Sequence, residues 1–204
     1  MKKSLMTAAI MAAFGASAAV PFKIGIAGFT FHRQKLDEAL VTMQKIDCHY
    51  LCHKDFFVKY NATDAQLEEY KAKLAAAGVE TLATGPLYAD NEKALREQFE
   101  FAKKMGIKVL VGVPFEKNAK GRRTESDKVL DIVDKLVKEY DMVYAIHNHG
   151  PDMPELFPTA EAAMKRIANR DKRIGVCLDV GHELRFGYNP IAFVRKHGDR
   201  KSGV

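Results

Sequence analysis

Two histidines stand at the end of an apolar, strand-like run in the second half of the chain. The run closes with Ile146-His147-Asn148-His149, and alternate residues of a strand point to the same side. His147 and His149 therefore face the same way, and two imidazoles placed together can bind a divalent metal or transfer protons. The spacing alone leaves open that both are ordinary loop histidines.

A second polar group follows the next strand-like run, at 174–178. Asp179 comes directly after this run, where a carboxylate is costly unless it is paired or bound to a metal. Gly181 lets the backbone turn, which would bring His182 beside Asp179. With His147 these residues form a His/Asp/His set that suits Mn, Fe, Co or Zn better than Ca or Mg. The alternative is that Asp179 only caps the following turn.

Two cationic residues accompany these groups. Lys54 follows the second strand-like run, where a lysine can bind a substrate oxygen or act as an acid or base if its pKa is lowered. It can equally form an ion pair with Asp55. Arg185 lies six residues after Asp179 and can clamp a substrate anion, or it is a plain surface arginine.

Strand-like and helix-like segments alternate strictly along the chain. The apolar runs predict strands, the fourth of them ended by Pro114, at 23–31, 46–52, 79–83, 107–113, 142–146 and 174–178. Helices follow at 34–45, 63–78, 90–106, 124–140, 159–169 and 189–196. Such alternation gives either a doubly wound sheet or a β/α barrel. Gly25-x-x-Gly28 lacks the third glycine of a dinucleotide-binding fingerprint, which counts against a Rossmann domain.

Capping residues mark where the predicted helices begin. Thr63 is an N-cap with Gln66 as its capping-box partner. Asp90 caps the next helix, and Thr124 and Asp127 open the one after it.

Five segments resemble the sugar phosphate isomerase/epimerase group of the xylose isomerase-like TIM barrel superfamily. The clearest two are 145–151 and 177–185, and the others are 54–56, 112–114 and 195–200. The resemblance covers most of the chain and implies an α/β fold, the (β/α)8 TIM barrel, with a divalent metal at its mouth. Here the barrel is expected to be incomplete, with about six β/α units and its C-terminal units missing, because eight units need about 250 residues.

The resemblance also implies a reaction class and residue roles. Members isomerise or epimerise sugars, dehydrate inosose or cleave keto-sugars, by proton removal beside a carbonyl with metal stabilisation of the enolate. The resemblance implies that Asp179 is a metal ligand and that His182 binds the substrate or the metal. Together with the residue types, this predicts Lys54 and His149 as catalytic residues, His147, Asp179 and His182 as ligands of Mn, Zn, Co or Fe, and Arg185 as a substrate-binding residue.

Two departures from the family pattern stand out. Phe57 occupies the place of a histidine found in the subgroup, and His147 takes the place of a glutamate ligand in many relatives. The family continues after 198–200 into strands with further ligands, whereas this sequence reads Lys201-Ser202-Gly203-Val204. The alternative to an enzyme is therefore an inactive truncated barrel, either a carbohydrate-binding remnant or a gene fragment.

The N-terminus predicts export. Residues 1–18 combine a basic start, a short apolar core and an Ala-Ser-Ala site, as in a secretory signal peptide. The barrel domain would then be 19–204, periplasmic or secreted. Because phosphorylated sugars are scarce outside the cytoplasm, export favours a free sugar or a keto-glycoside as substrate.

Charge and cysteine content limit the partners. Residues 1–18 hold two of the 32 Lys and Arg residues and none of the 26 acidic ones, so the remainder carries a formal charge of +4. These charges are spread over the helices, which argues against nucleic acid as a partner. The densest basic patch, 117–123, is either an anion site or a solvated loop. Three cysteines at no framework spacing favour free thiols over one disulfide with a leftover thiol. No later run is long enough to span a membrane. The exposed edges of an open barrel leave homo-oligomerisation open.

Overall fold

A computed structural model describes residues 22–198. Its strands are β1 (Ile26–Ala27), β2 (Tyr50–His53), β3 (Glu80–Ala89), β4 (Val109–Lys117), β5 (Arg123–Glu125), β6 (Val143–His147) and β7 (Ile174–Cys177). Its α-helices are α1 (Leu36–Lys45), α2 (Asp64–Ala76), α3 (Glu92–Met105), α4 (Asp127–Tyr140), α5 (Ala160–Arg166), α6 (Val180–Arg185) and α7 (Pro190–His197). The predicted signal peptide and the segment after residue 198 lie outside the described residues.

The sheet has the topology of a β/α barrel that is not closed. Six parallel strands run in the order β1-β2-β3-β4-β6-β7, and β5 pairs with β4 in the antiparallel sense. Every step between neighbouring parallel strands passes through at least one helix. The predicted fold class is confirmed: this part of the chain is a TIM-barrel-like sheet of about six β/α units, incomplete between β1 and β7.

The apolar faces of the helices pack on the outside of the sheet. Leu95 and Phe99 of α3 and Leu130 and Val133 of α4 are fully buried there. Burial of such side chains supplies most of the driving force for folding. Inside the sheet the packing uses small residues, with Ala83, Val111 and Ala145 forming a separate cluster. The helical layer is therefore the main core, and the strand ends are left free to carry polar side chains.

Several predicted strand boundaries are wrong. The first strand is only two residues long, since the chain turns into a 3-10 helix at Gly28–Phe31. The fourth strand does not end at Pro114 but continues to Lys117 as a hairpin with β5. The ladder between β4 and β6 ends at Gly112, so the missing N–H of Pro114 removes no bond on that side.

Two helix caps also differ from the sequence prediction. Asn91, not Asp90, caps α3 by accepting a hydrogen bond from the Ala94 N–H. Ser126 caps α4, while Thr124 lies in β5. The predicted capping box of α2 at Thr63 is confirmed.

Two simpler expectations can be checked directly. The cysteines Cys48, Cys52 and Cys177 are free thiols, as predicted. Among residues 22–198, no helix combines the length and the apolar character that crossing a membrane requires.

Candidate active site

Three predicted ligands meet where β6 and β7 end. His147 is the last residue of β6, Asp179 follows β7 as the N-cap of α6, and His182 lies in the first turn of α6. Nε2 of His147 is 3.4 Å from Oδ2 of Asp179, and Nε2 of His182 is 3.6 Å from the same oxygen. One donor atom from each residue lies within 4.8 Å of the others.

Asp179 both caps a helix and faces the two imidazoles, so the two alternatives left open by the sequence coexist. Its Oδ1 accepts the backbone N–H of His182 at 2.9 Å, while Oδ2 points at both Nε2 atoms. The helix α6, and not a turn at Gly181, brings His182 round, which corrects the prediction. The side-chain hydrogen bond from His147 holds the pKa of Asp179 well below its usual range, so the carboxylate stays ionised.

The donor set fits a transition-metal ion. Two atoms each about 2.1 Å from a tetrahedral metal are about 3.4 Å apart, close to the 3.4 and 3.6 Å separations seen here. Nδ1 of His147 is buried and has no hydrogen-bond partner within residues 22–198, while Nε2 donates to Asp179, so a metal that binds at Nε2 would displace the proton from that atom. Imidazole and carboxylate together suit Zn, Mn, Co or Fe.

Arg185 contacts this cluster directly. Its guanidinium donates to Nδ1 of His182 at 2.6 Å and to Oδ1 of Asp152 at 3.0 Å. The guanidinium passes so close to Gly150 that any Cβ at that position would collide with it. Arg185 is thus held in place over the site by two partners and orients the His182 ring.

Asn148 ties the ends of the two strands together, a feature that the sequence analysis missed. Its Oδ1 accepts the Asp179 N–H at 2.7 Å, and its Nδ2 donates to Oε1 of Glu183 at 3.1 Å. Glu183, itself buried, also accepts the Ala160 N–H at 2.6 Å. The signal available in the sequence was a polar residue between two histidines. Strand alternation turns the Asn148 side chain to the side opposite the histidines, where it needs a hydrogen-bond partner of its own.

His149 lies beside the cluster with a defined tautomer. Its ring centroid is 5.2 Å from that of His147, and Nδ1 donates to the Leu156 carbonyl at 3.0 Å. Nε2 therefore carries a lone pair, which accepts the hydroxyl of Tyr88 at 3.1 Å. Burial, reinforced by the nearby His147, lowers the pKa of His149 to about 4. Tyr88 was not predicted, because it comes from the distant strand β3.

Lys54 lies elsewhere on the strand ends. Its Nζ donates to the Pro86 carbonyl at 2.8 Å and is 3.3 Å from Oδ1 of Asp55. The ion pair with Asp55, one of the two readings of the sequence, is thus present. These contacts place Lys54 between β2 and β3, while the imidazole cluster is built at β6 and β7.

Comparison with known proteins assigns the class. The model of the family described as xylose isomerase-like TIM barrel matches residues 30–203, and the chain belongs to that family. No curated protein sequence matches the chain at a significant level.

Three solved structures illustrate the similarity. An uncharacterised protein from Parabacteroides distasonis ATCC 8503 is 27% identical with a TM-score of 0.68, over 89% of this chain and 72% of that one. D-psicose 3-epimerase with D-tagatose from Clostridium cellulolyticum H10 is 15% identical with a TM-score of 0.67, over 88% and 71%. The IOLI protein with a bound zinc atom is 20% identical with a TM-score of 0.62, over 88% and 70%. The last two likenesses concern the fold.

Proposed function

We propose that this chain is a metal-dependent isomerase, epimerase or lyase acting on a non-phosphorylated sugar or a keto-glycoside. The observation that carries the proposal is the His147/Asp179/His182 cluster, whose donor separations suit a divalent ion. Structurally similar proteins include a sugar epimerase and a zinc-binding protein, which supports this reaction class. The predicted signal peptide supports export and hence a substrate without phosphate.

The reaction would remove a proton next to the substrate carbonyl. A metal held by His147, Asp179 and His182 would stabilise the negative charge that develops on the carbonyl oxygen. His149 is neutral at pH 7 because its pKa is about 4, and its Nε2 lone pair accepts the proton.

The neighbours of His149 set the direction of that transfer. The Leu156 carbonyl holds the proton on Nδ1 and accepts a stronger hydrogen bond once the ring becomes charged. The Tyr88 hydroxyl lies 3.1 Å from Nε2 and orients that atom until substrate arrives. Lys54 is the candidate for contacting a second substrate oxygen, one of the roles that the sequence left open for it beside that of an acid or base.

Solvent deuterium exchange tests the proposal. The full chain is incubated in D2O with Mn²⁺ and D-psicose or D-tagatose, and deuterium entry beside the carbonyl is followed by NMR. We expect exchange that chelation abolishes, that Asp179→Asn abolishes, and that Asp131→Asn leaves intact. Asp131 is a suitable control because it is an exposed aspartate paired with Arg170, away from the cluster.

Two results would contradict the proposal. Exchange that survives exhaustive chelation would remove the role of the metal. Sugar binding without exchange in the metal-loaded protein would instead favour the carbohydrate-binding remnant.

A further inference from the structure

An open cavity of about 320 Å³ lies where the β4–β5 hairpin meets the loop 150–157. Its volume is at the lower end of the range of about 300–1,000 Å³ typical of ligand pockets. The charged side chains in its wall are those of Arg122, Arg123, Asp152 and Glu155. The apolar part of the wall comes from Met153, Pro154 and Leu156.

Two residues in the cavity wall are hydrogen-bonded to direct neighbours of the His147/Asp179/His182 cluster. The carbonyl of Leu156 accepts the Nδ1–H of His149. Asp152 pairs with Arg185 at 3.0 Å, and Arg185 in turn donates to His182.

The hairpin supplies a third connection. Arg123 lies over the ring of Tyr88, whose hydroxyl bonds to His149. The cavity therefore adjoins the residues that surround the cluster, although none of the three metal-ligand candidates lines its wall.

Arg123 lies against two aromatic rings, with no ion-pair partner within residues 22–198. Its guanidinium carbon is 4.6 Å from the ring centroid of Tyr88 and 4.9 Å from that of Phe115. Stacking of this kind fixes the plane of the guanidinium and leaves its N–H groups available. Within residues 22–198, no carboxylate lies at ion-pair distance from Arg123.

The other two arginines near the cavity are already engaged. Arg122 pairs with Glu155 at 3.9 Å, and Arg185 pairs with Asp152. Of the four charged residues in the cavity wall, Arg123 alone has no ion-pair partner within residues 22–198.

We propose that Arg123 recognises a carboxylate on the substrate, so that the preferred substrate is an acidic sugar of the uronate type. A planar guanidinium matches a carboxylate through two parallel hydrogen bonds. Because Asp152 and Glu155 engage Arg185 and Arg122, an anion in the cavity meets one unpaired guanidinium, whose single charge suits a carboxylate monoanion better than a phosphate dianion. This inference rests on the proposed function. The sequence assigned anion binding to Arg185, whereas the inference assigns it to Arg123 in the basic segment 117–123.

Calorimetric titration of the full, metal-free chain with three related sugars tests the inference. D-glucose, D-glucuronate and D-glucose 6-phosphate share a ring and differ at one carbon. We expect glucuronate to bind tightest, and Arg123→Gln to weaken glucuronate binding by about tenfold or more while leaving D-glucose unchanged. The control Lys117→Gln removes the same charge from the register partner of Arg123, outside the cavity, and should change nothing.

The outcomes separate this inference from the proposed function. Preference for the 6-phosphate, equal binding of all three sugars, or an Arg123→Gln variant that binds glucuronate normally would each overturn it. The relative affinities of the unaltered chain for the three sugars test the inference even if a variant folds poorly. Because the titration uses no metal, a preference for glucuronate in a chain that shows no deuterium exchange when metal-loaded would overturn the proposed function and leave the carboxylate recognition by Arg123 standing.

Discussion

Asn148 is the residue whose removal should weaken the cluster without touching a ligand. Its amide fixes the backbone of Asp179 and the carboxylate of Glu183. Because residues that orient ligands typically contribute 10–100-fold to metal affinity, we expect Asn148→Ala to bind Zn²⁺ at least about tenfold more weakly by calorimetry.

A matched substitution separates this effect from general damage. Asn118 also accepts backbone N–H groups through its side chain, in the β4–β5 turn. Asn118→Ala should keep normal zinc affinity. If Asn148→Ala also kept it, Asp179 would not depend on its neighbour for its position.

Arg185 should oppose metal binding rather than assist it. A guanidinium can only donate, so Nδ1 of His182 is an acceptor and the ring proton sits on Nε2, the atom that faces Asp179. Metal binding must displace that proton. We expect Arg185→Gln to raise zinc affinity by roughly threefold or more, from the lost repulsion and the freed tautomer. Arg122→Gln is the matched control and should leave zinc affinity unchanged. Weaker zinc binding by Arg185→Gln than by the unaltered chain would contradict this explanation.

At the scale of elements, local patterns were predicted well and long-range pairing was not. The strand–helix order followed from periodicity, and Thr63 was recognised as a cap because its partner Gln66 is three residues away. The extension of β3 from the predicted end at Ala83 to Ala89 depends on its ladder with β4 in the next unit, which no local pattern encodes.

The same distinction holds for the candidate site. His147, Asp179 and His182 were predicted because each follows a strand-like run, and strand ends meet at one edge of a parallel sheet. Tyr88 and Arg123 come from β3 and β5, so their approach to His149 depends on sheet order and on a hairpin that the sequence did not reveal.

The cap of α2 gives a test at this scale with an internal control. Thr63 accepts the Gln66 N–H and starts the helix, so Thr63→Ala should lower the free energy of unfolding by about 1 kcal/mol. Thr42 lies inside α1 and bonds back to the Glu38 carbonyl. There the same change should be neutral or stabilising, because alanine is the better helix former. Urea denaturation measures both, and equal losses would contradict the assignment of Thr63 as the cap.

At the scale of the whole molecule, buried neutral histidines make folding sensitive to acid. His53 is fully buried between α2 and α3, with Nδ1 2.9 Å from the Tyr70 hydroxyl and its ring stacked on Phe101. Burial lowers the pKa of His53 to about 3, and burial lowers that of His149 to about 4. Both values lie below the unfolded-state value of 6.5, so between pH 6.5 and about 4 the unfolded chain binds more protons than the folded one.

Stability must therefore fall as the pH falls through that window. Each such histidine adds a slope of up to about 1.4 kcal/mol per pH unit to the free energy of unfolding. We expect His53→Gln to reduce the slope measured by urea denaturation between pH 6.5 and 5, whatever its effect on absolute stability. The matched change His32→Gln, at an exposed histidine, should leave the slope as it is. An unchanged slope in His53→Gln would mean that folding does not lower the pKa of His53, which its burial against Phe101 argues against.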